Sequence, residues 1–485
     1  MDLLRYQART HPDRFAVTEV TAAGPQSLTW AEFASNVEGT AGRAASLFSH
    51  EPRVLLAIDN TASSLTALLG IVAAGVDVAV FEASSAPLSD PSSVFHTTGA
   101  QSLLVPGGDR PDGAEGYRSL AIEEITGGPP ATQGLDVPTG DDVTVLQATS
   151  GSTGEPRLAR QPLVNLIRGG ALYRDIYHLS TADTILAPVP MAHSFGMVAG
   201  LFASTVTGAR LQTMTRFTPR GTRTAIEDGA TVLLGTPLLY ELVGRTVRPA
   251  RSTLRVALSS GGPLDDSVAL LAGTELGAPV LQVYGSTETG LIASQRPGTG
   301  PWPPGCVGTV APGVDLRVAP PAAGNAPDAG VELAVRTMTM FRGYLDGRPD
   351  RVDQHGYYAT NDVATLDEAG NLRLLRRKES FINVGGRKVN PVRLQRLIQE
   401  HPDVVDSAVY GAEAPGGEEV HAAVVLVNGG QLSTLLAHCR ARLADYEVPH
   451  TVHVVAALPL TGMGKIDRNR LPGRPTTLSP SGGRS

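Results

Sequence analysis

The chain has 485 residues, too many for one small hydrophobic core, so about three structural units are expected. Hydrophobic residues make up 42% and charged residues 18%, a balance that excludes a mainly disordered chain. Lysine and arginine number 40 against 47 aspartates and glutamates, and the resulting net charge of -7 disfavours binding to nucleic acid.

Cysteine usage and the N-terminal segment indicate the compartment. Cys306 and Cys439 are far apart and neither lies in a CxxC pair, which disfavours a disulfide framework or a zinc site and fits a reducing environment. Residues 1–15 are charged and lack the apolar stretch of a signal peptide, and no apolar run is long enough to span a bilayer. We therefore expect a cytoplasmic protein with no membrane span.

The first third of the chain alternates helical and strand patterns. Thr29 and Glu32 have the spacing of a capping box, which predicts a helix start. Residues 54–58 (VLLAI) and 76–81 (VDVAVF) have the composition of buried strands, and residues 63–74 between them predict an apolar helix. This order predicts a parallel α/β unit. The Gly-, Pro- and Asp-rich residues 105–140 are expected to form a surface excursion.

The last third predicts a second domain. Residues 301–330 are expected to form hairpins and loops, and residues 357–375 have the pattern of a further hairpin. The charged residues 376–379 are interpreted as a link, which gives a large domain over 1–378 and a small domain over 379–473. Within the small domain the patterns predict a helix around 394–398, a strand over 420–427 and a helix over 432–443. The polar tail, residues 474–485, is expected to be disordered.

The first chemical motif is a Ser/Gly-rich loop between a buried strand and a cation, residues 146–157 (LQATSGSTGEPR). Glycines let backbone N–H groups turn toward an anion, hydroxyls add donors and arginine adds charge, so the loop is a candidate phosphate site. It does not match the Walker A pattern. On this motif alone, phosphate binding and a flexible linker are equally good interpretations.

Two further motifs carry candidate chemistry. Residues 282–290 (QVYGSTETG) place an aromatic ring, a glycine and a hydroxyl–carboxylate pair after a strand. These groups suit base stacking, phosphate contact and Mg²⁺ binding, and the alternative is a plain strand-end turn. Residues 461–468 (TGMGKIDR) place one lysine after two glycines, and a surface lysine is the alternative there.

Together these motifs, in this order, resemble those of the adenylate-forming enzyme superfamily, which includes acyl- and aryl-CoA ligases, adenylation domains of peptide synthetases and firefly luciferase. The resemblance covers nearly the whole chain and extends to residues 11–14 (HPDR), 190–196 (PMAHSFG), 259–264 (SSGGPL), 358–362 (YATND) and 386–391 (GRKVNP). It implies an α/β fold, with a large N-terminal domain of layered α/β sheets plus a β-rich subdomain, and a small mobile C-terminal α+β domain.

The resemblance implies ATP and Mg²⁺ as cofactors and assigns residues to each part of the nucleotide. The phosphates would be bound by Thr149, Ser150, Gly151, Ser152, Thr153, Gly154 and Arg157. The adenosine would contact Tyr284, Gly261, Gly262, Asp362 and Arg377. Three catalytic roles follow: Thr287 at the α-phosphate, Glu288 on Mg²⁺ with Thr149, and Lys465 between the acid's carboxylate and the α-phosphate. Two anions must be brought together, so the reaction needs positioning and positive charge.

The resemblance also implies a second half-reaction with CoA or phosphopantetheine as thiol co-substrate. The small domain would rotate about Glu379 and bring Gly385, Gly386 and Arg387 to the thiol donor. An ordinary linker residue is an equally good interpretation of Glu379. The acyl pocket would be formed by His193, Phe195, Gly196, Gly235, Ser260 and Gly285. For His193, a hydrogen-bonded core histidine is the alternative.

Departures from the family pattern bear on the acceptor. Arg157 replaces a lysine and Asn361 a glycine, and Arg393 and Gln395 stand where an acidic pair is common. The sequence favours an acid–thiol ligase acting on a small aryl or acyl acid rather than an α-amino acid. The thiol would belong to CoA or to a separate acyl carrier protein. An amine-accepting ligase and a non-catalytic binding homologue are the alternatives.

Overall fold

The computed structural model describes residues 1–21, 24–85, 87–90, 93–126, 143–149, 157–303, 305–318, 331–348, 350–377, 382–384, 387–389, 391–414, 417–443, 446–461, 466–467 and 470–473. The helices are α1 (Asp2–Thr10), α2 (Trp30–Leu47), α3 (Ala62–Ala73), α4 (Ile122–Ile125), α5 (Leu163–Tyr177), α6 (Ala203–Thr207), α7 (Pro219–Glu227), α8 (Pro237–Thr246), α9 (Asp266–Leu276), α10 (Pro391–Gln399) and α11 (Leu432–Arg440), with a π-helical segment over Gly196–Phe202.

The strands are β1 (Phe15–Thr21), β2 (Gly24–Thr29), β3 (Arg53–Ile58), β4 (Asp77–Glu82), β5 (Ser102–Val105), β6 (Arg118–Ala121), β7 (Thr144–Thr149), β8 (Arg157–Pro162), β9 (Thr184–Ala187), β10 (Arg210–Met214), β11 (Val232–Gly235), β12 (Val256–Ser259), β13 (Val280–Ser286), β14 (Gly290–Ser294), β15 (Cys306–Val310), β16 (Asp315–Arg317), β17 (Val331–Arg336), β18 (Tyr358–Leu366), β19 (Asn371–Arg377), β20 (Ile382–Val384), β21 (Arg387–Val389), β22 (Val404–Ala414), β23 (Gly417–Leu426) and β24 (Thr451–Val454).

Two large sheets dominate the first of two compact units, which comprises Met1–Thr360 and Ala364–Leu374. The six-stranded sheet has the order β6-β5-β3-β4-β7-β8 and is parallel apart from its last pair. The thirteen-stranded sheet has the order β16-β17-β18-β19-β15-β14-β13-β12-β11-β9-β10-β1-β2. Its run from β13 to β1 is parallel, so the carboxyl ends of those strands share one edge.

The main core lies between the two sheets. Strand β3 shows the alternation: Val54 and Leu56 join the cluster that also contains side chains of α2, α3 and α5, whereas Leu55 faces a different cluster with Phe81. In the larger sheet, Ile185 belongs to the shared cluster, while its neighbour on the chain, Leu186, packs in a cluster with α7, α8 and α9. Because successive side chains of a strand point to opposite faces, each sheet is covered on both sides, as buried parallel strands require.

The α/β character predicted for the first third is confirmed. Thr29 caps α2 through Glu32, and β3 and β4 pair in parallel on either side of α3 in the sequence. The surface excursion predicted over residues 105–140 is wrong for its middle part. Residues 118–121 form β6 in the six-stranded sheet, and Ile122 and Ile125 are fully buried. Four residues are too short to display a strand period.

The second unit contains Asn361–Val363 and the described residues from Leu375 onward. A three-stranded sheet in the order β22-β23-β24 packs with α10 and α11 around a core that includes Val409, Val424 and Leu435. Arg376 and Arg377 extend β19 rather than forming a separate link. The predicted boundary at 378/379 and the tail over 474–485 lie outside the described residues, so both stay predictions.

Two composition-based expectations bear on the fold. Cys306 and Cys439 are both free and buried, and burial raises the pKa of each thiol above its ordinary value. No helix in the described part of the chain is long and apolar enough to cross a bilayer.

Candidate active site

The Ser/Gly-rich loop connects two paired strands. β7 and β8 are antiparallel neighbours with Thr149 opposite Arg157, and the Thr149 hydroxyl donates to the Arg157 carbonyl at 3.3 Å. Ser150, Gly151, Ser152, Thr153 and Gly154 lie outside the described residues, so their predicted contacts to phosphate stay predictions. The structure describes the two ends of the loop, at the carboxyl end of β7.

Arg157, at the far end of the loop, is held by a carboxylate and an aromatic ring. Its Nε and Nη2 donate to Asp346 Oδ2 and Oδ1 at 2.9 and 2.6 Å, and its Cζ lies 3.7 Å from the centroid of the Tyr344 ring. Arg348 also donates to Asp346, from Nε at 2.8 Å. These donors, the Arg157 guanidinium first, hold the pKa of Asp346 far below its ordinary value. The guanidinium is therefore oriented by the protein before any ligand is considered.

A buried glutamine connects the loop strand to the second motif. Gln147 Nε2 donates to the Ala192 carbonyl at 2.9 Å, which leaves Oε1 to accept from Ser194 Oγ at 2.8 Å. The Ser194 oxygen also lies 3.1 Å from Thr287 Oγ1. The single hydroxyl proton of Ser194 can be donated to Gln147 Oε1 or to Thr287 Oγ1, so the Thr287 hydroxyl keeps its own proton for another acceptor. Gln161 Nε2 donates to the Thr287 carbonyl and fixes its backbone.

Thr287 and Glu288 occupy the turn between β13 and β14. Glycines allow this turn, since a Cβ on Gly285 would overlap the Gly290 carbonyl, and Gly290 has a φ of 68° that L-residues rarely adopt. Phe341 N donates to the Glu288 carbonyl at 2.8 Å. The turn thus presents the Thr287 and Glu288 side chains directly after a parallel strand.

The Glu288 carboxylate is buried, and one of its two oxygens accepts a hydrogen bond. It is 9% exposed, and Oε1 accepts from the Tyr344 hydroxyl at 2.8 Å. Within the described residues, Oε2 has no hydrogen-bond donor. Mg²⁺ in nucleotide sites is usually held by one or two carboxylates together with phosphate oxygens and water, so an oriented carboxylate with a free oxygen fits this ion. No cluster of three or more His, Cys, Asp and Glu side chains suited to a metal occurs in the described part.

His193 is paired with a carboxylate that the sequence analysis did not single out. Its Nε2 lies 2.6 Å from Glu82 Oε1, and the two side chains are 39% and 14% exposed. The hydrogen bond from His193 lowers the pKa of Glu82 and outweighs the effect of burial, and the charge of His193 acts in the same direction. His193 is thus hydrogen-bonded but still partly exposed.

The glycines predicted to line the acyl pocket abut protein atoms. A Cβ on Gly196 would overlap the Pro190 carbonyl at the start of the π-helical segment, and one on Gly235 would meet the Tyr240 ring. A Cβ on Gly285 would likewise overlap the Gly290 carbonyl. Packing alone therefore requires glycine at all three positions. Gly262 is different, since a Cβ there would meet only Pro237, at 3.7 Å.

The remaining predicted residues fall into two groups. Phe195 is nearly buried against Tyr173, Ser260 and Gly261 follow β12 and are half-buried, and Tyr284 is half-buried near the end of β13. Asp362 is buried in β18. Arg377 lies in β19 and Arg387 in β21, but their side chains are not among those that the structure describes. Glu379, Gly385, Gly386 and Lys465 lie outside the described residues.

Residues at the site that carry no role in the sequence analysis include Glu82, Gln147, Ser194 and Asp346. Gln147 gave one signal, because a polar amide within an apolar strand must find partners when it is buried. The other three act through contacts with residues 47 to 189 positions away, and such spacing leaves no local pattern.

The comparison with family models covers most of the chain. The model of the AMP-binding enzyme family matches residues 4–345, and the model of the AMP-binding enzyme C-terminal domain matches residues 394–465. The first match thus includes Arg157, Glu288 and Tyr344, and the second ends at Lys465.

Individual relatives match over nearly their full length. A 2-succinylbenzoate–CoA ligase of Bacillus licheniformis is 26% identical over 479 residues, 96% of this chain and 98% of the relative. An oxalate–CoA ligase of Arabidopsis thaliana is 26% identical and covers 96% of both chains. Among solved structures, the O-succinylbenzoate coenzyme A synthetase of Bacillus subtilis in complex with ATP and magnesium shares the fold, with a TM-score of 0.82, 23% identity and coverage of 97% and 98%.

Proposed function

Because the chain belongs to the AMP-binding enzyme family, we propose that it activates a carboxylic acid with ATP to an acyl-adenylate and transfers the acyl group to the thiol of CoA. The observation that carries this proposal is the hydrogen-bonded chain from Gln147 through Ser194 to Thr287. It links three distant segments of the sequence, all of which the family resemblance assigns to one active site.

The first task of such an enzyme is to hold two anions together. Arg157 is already oriented by Asp346 and Tyr344, so little side-chain freedom is lost when it contacts phosphate. The Thr287 hydroxyl, which accepts from Ser194 and keeps its own proton, donates to an oxygen of the α-phosphate in this proposal. A donor fixed before the reaction stabilises developing charge without reorganisation.

The second task is to supply positive charge where the bond forms. Glu288 would hold Mg²⁺ through Oε2 while the Tyr344 hydroxyl keeps Oε1 in place. When bound, Mg²⁺ neutralises phosphate charge and orients the phosphates. Lys465 would bring its ammonium group to the acid's carboxylate, and pyrophosphate would leave as the acyl–phosphate bond forms.

The acid and the acceptor are narrower parts of the proposal. Relatives of full length are named as CoA ligases of small carboxylic acids, which supports CoA as acceptor and a small acid as substrate. A separate acyl carrier protein would be the alternative thiol donor. We place the reaction in the cytoplasm, where CoA and ATP are available.

The decisive experiment is acid-dependent exchange of labelled pyrophosphate into ATP, over a panel of aryl, short-chain and medium-chain acids. We expect exchange with at least one acid and its loss, by roughly a hundredfold or more, in Lys465→Ala. With the active acid, addition of CoA should yield a thioester and AMP. Exchange without thioester formation, but with amide formation from an added amine, would contradict the choice of acceptor. ATP binding without any exchange would support a non-catalytic homologue.

A further inference from the structure

The pairing of His193 with Glu82 places a negative charge beside a residue assigned to the acyl pocket. Glu82 is the last residue of β4, and Thr149 is the last residue of β7, the parallel neighbour of β4 in the same sheet. His193 is followed directly by Ser194, which contacts Thr287. The pair therefore lies at the same sheet edge as the phosphate loop and next to the residues of the adenylation site.

The chemistry of the pair follows from which nitrogen is engaged. An ionised carboxylate only accepts hydrogen bonds, so Glu82 fixes a proton on Nε2 of His193. Within the described residues, Nδ1 of His193 has no hydrogen-bond partner, and the side chain is partly exposed. A neutral imidazole held in this way offers the lone pair of Nδ1 as an acceptor, and the pair then carries one net negative charge.

Protonation of His193 does not make the pair cationic. A protonated imidazole next to an ionised Glu82 gives a net charge of zero, whereas the same imidazole alone would be positive. In neither state does the pair offer the net positive charge that would stabilise a second carboxylate on the substrate. The hydrogen-bond donors of Ser84 and His193 near Glu82 keep its carboxylate ionised.

We propose that Glu82 is a specificity-determining residue of this site, which acts with His193 to exclude acids bearing a second carboxylate and to favour neutral acyl groups that donate a hydrogen bond. The inference rests on the proposed function, since it concerns the acid that is adenylated. Its physical basis is charge repulsion at short range in a partly buried site, where solvent screens poorly.

The test is the relative rate of pyrophosphate exchange in two matched series of acids: butanoate, γ-hydroxybutanoate and succinate, and benzoate, para-hydroxybenzoate and terephthalate. With the unaltered protein, and within whichever series it accepts, we expect kcat/KM to be highest for the hydroxy acid and lowest for the dicarboxylate. In Glu82→Gln, the ratio of kcat/KM for the dicarboxylate to that for the plain acid should rise at least tenfold. An unchanged ratio would overturn the inference and leave adenylation itself standing.

A second pair of variants removes the effect of side-chain size. Glu82→Asp and Glu82→Asn are matched in shape and differ in charge, so only the asparagine variant should accept the dicarboxylate better. Equal ratios in the two would also overturn the inference, even if Glu82→Gln does not fold. Asp77→Asn is the control, because Asp77 lies at the opposite end of β4 and accepts from Thr144 N at 2.8 Å. It should leave the ratio unchanged. No exchange with any acid would overturn the proposed function and this inference together.

Discussion

Arg157 shows how one side chain can be prepared for its ligand by its neighbours. A bidentate pair with Asp346 and the face of Tyr344 restrict a side chain that otherwise has many rotamers. Tyr344 in turn donates to Glu288, so the residue proposed to bind phosphate and the one proposed to bind Mg²⁺ share a support.

Asp346→Asn should weaken ATP binding more than it slows the reaction. The amide keeps one acceptor oxygen but loses the charge that holds both arms of the Arg157 guanidinium. We expect the KM for ATP to rise about tenfold, equivalent to about 1.4 kcal/mol, with kcat changed less than about twofold. Pyrophosphate exchange at varied ATP concentration measures both constants.

The control for Asp346→Asn is Glu241→Gln. Glu241 forms an ion pair with Arg245 at 2.7 Å on an exposed face of α8, where loss of the pair should have little effect. If the KM for ATP is the same in Asp346→Asn as in the control, Arg157 does not depend on Asp346 for its orientation.

At the scale of single residues, a local pattern predicts which side chains could react but not which residues hold them in place. Thr287 and Glu288 stand out because a hydroxyl and a carboxylate follow glycine at a strand end. Asp346 does not stand out, because its partner Arg157 is 189 positions away. A pattern in the sequence can reveal which side chains react, but contacts between distant segments depend on how the sheets assemble.

At the scale of elements, Asp183 ties together the starts of three parallel strands. It lies just before β9, and its carboxylate accepts from Thr231 Oγ1 at 2.7 Å, just before β11, and from Arg255 Nε at 2.8 Å, just before β12. Ser180 N adds a third donor at 2.8 Å. Asp183 is 6% exposed, so its charge is well compensated only while all three elements are in place.

Asp183→Asn should therefore destabilise the first unit by about 2 kcal/mol, because the buried side chain loses the charge that strengthens its hydrogen bonds to Arg255, Thr231 and Ser180, although the Arg255 side chain itself is 37% exposed. Chemical denaturation with urea, followed by circular dichroism, measures the change. Asp175→Asn is the matched control: its pair with Arg174 is exposed on both sides and should contribute less than about 1 kcal/mol. Similar losses of stability in the two variants would show that burial of the Asp183 carboxylate does not matter.

The stability that Asp183 contributes should also depend on pH. Burial alone would raise the pKa of Asp183, but the hydrogen bonds from Arg255, Thr231 and Ser180 outweigh it and hold the pKa below its ordinary value. A lowered folded-state pKa means that the stabilisation is complete above the unfolded pKa of about 3.9 and is lost as the pH falls through the folded value. The stability difference between the protein and Asp183→Asn should thus be constant between about pH 5 and 8 and shrink below about pH 4.

Elements were predictable where their signal is local. The capping box at Thr29 and the strand–helix–strand order over 54–81 need only neighbouring residues, and both appear as expected. Strand β6 was missed, because its four residues, RSLA, show no apolar alternation and depend on pairing with β5. The Asp367–Gly370 turn of the β18–β19 hairpin was recognisable, but the strands extend further than the apolar pattern indicated.

At the scale of the whole molecule, the site follows from parallel topology. Glu82, Thr149 and Thr287 come from the carboxyl ends of β4, β7 and β13, which belong to two different sheets. In open α/β folds, ligands bind at the carboxyl ends of strands because the polar loops gather there. The first unit therefore supplies Glu82, Thr149 and Thr287, whereas Asp362 belongs to the second unit, whose contribution can be tested separately.

Glu379 is the proposed hinge of the small domain. Proline fixes φ near −65° and also restricts the residue before it, so Glu379→Pro should hinder a rotation of the small domain about this position. If the two half-reactions need different positions of that domain, one should survive and the other fail. We expect pyrophosphate exchange within about threefold of the unaltered protein and a loss of thioester formation of at least about tenfold, a barrier increase of about 1.4 kcal/mol. Single-turnover transfer from preformed acyl-adenylate to CoA measures the second step directly.

Glu379→Ala is the control, because it removes the charge but leaves φ free, and it should support both steps. Equal transfer rates in the proline and alanine variants would mean that Glu379 is an ordinary linker residue.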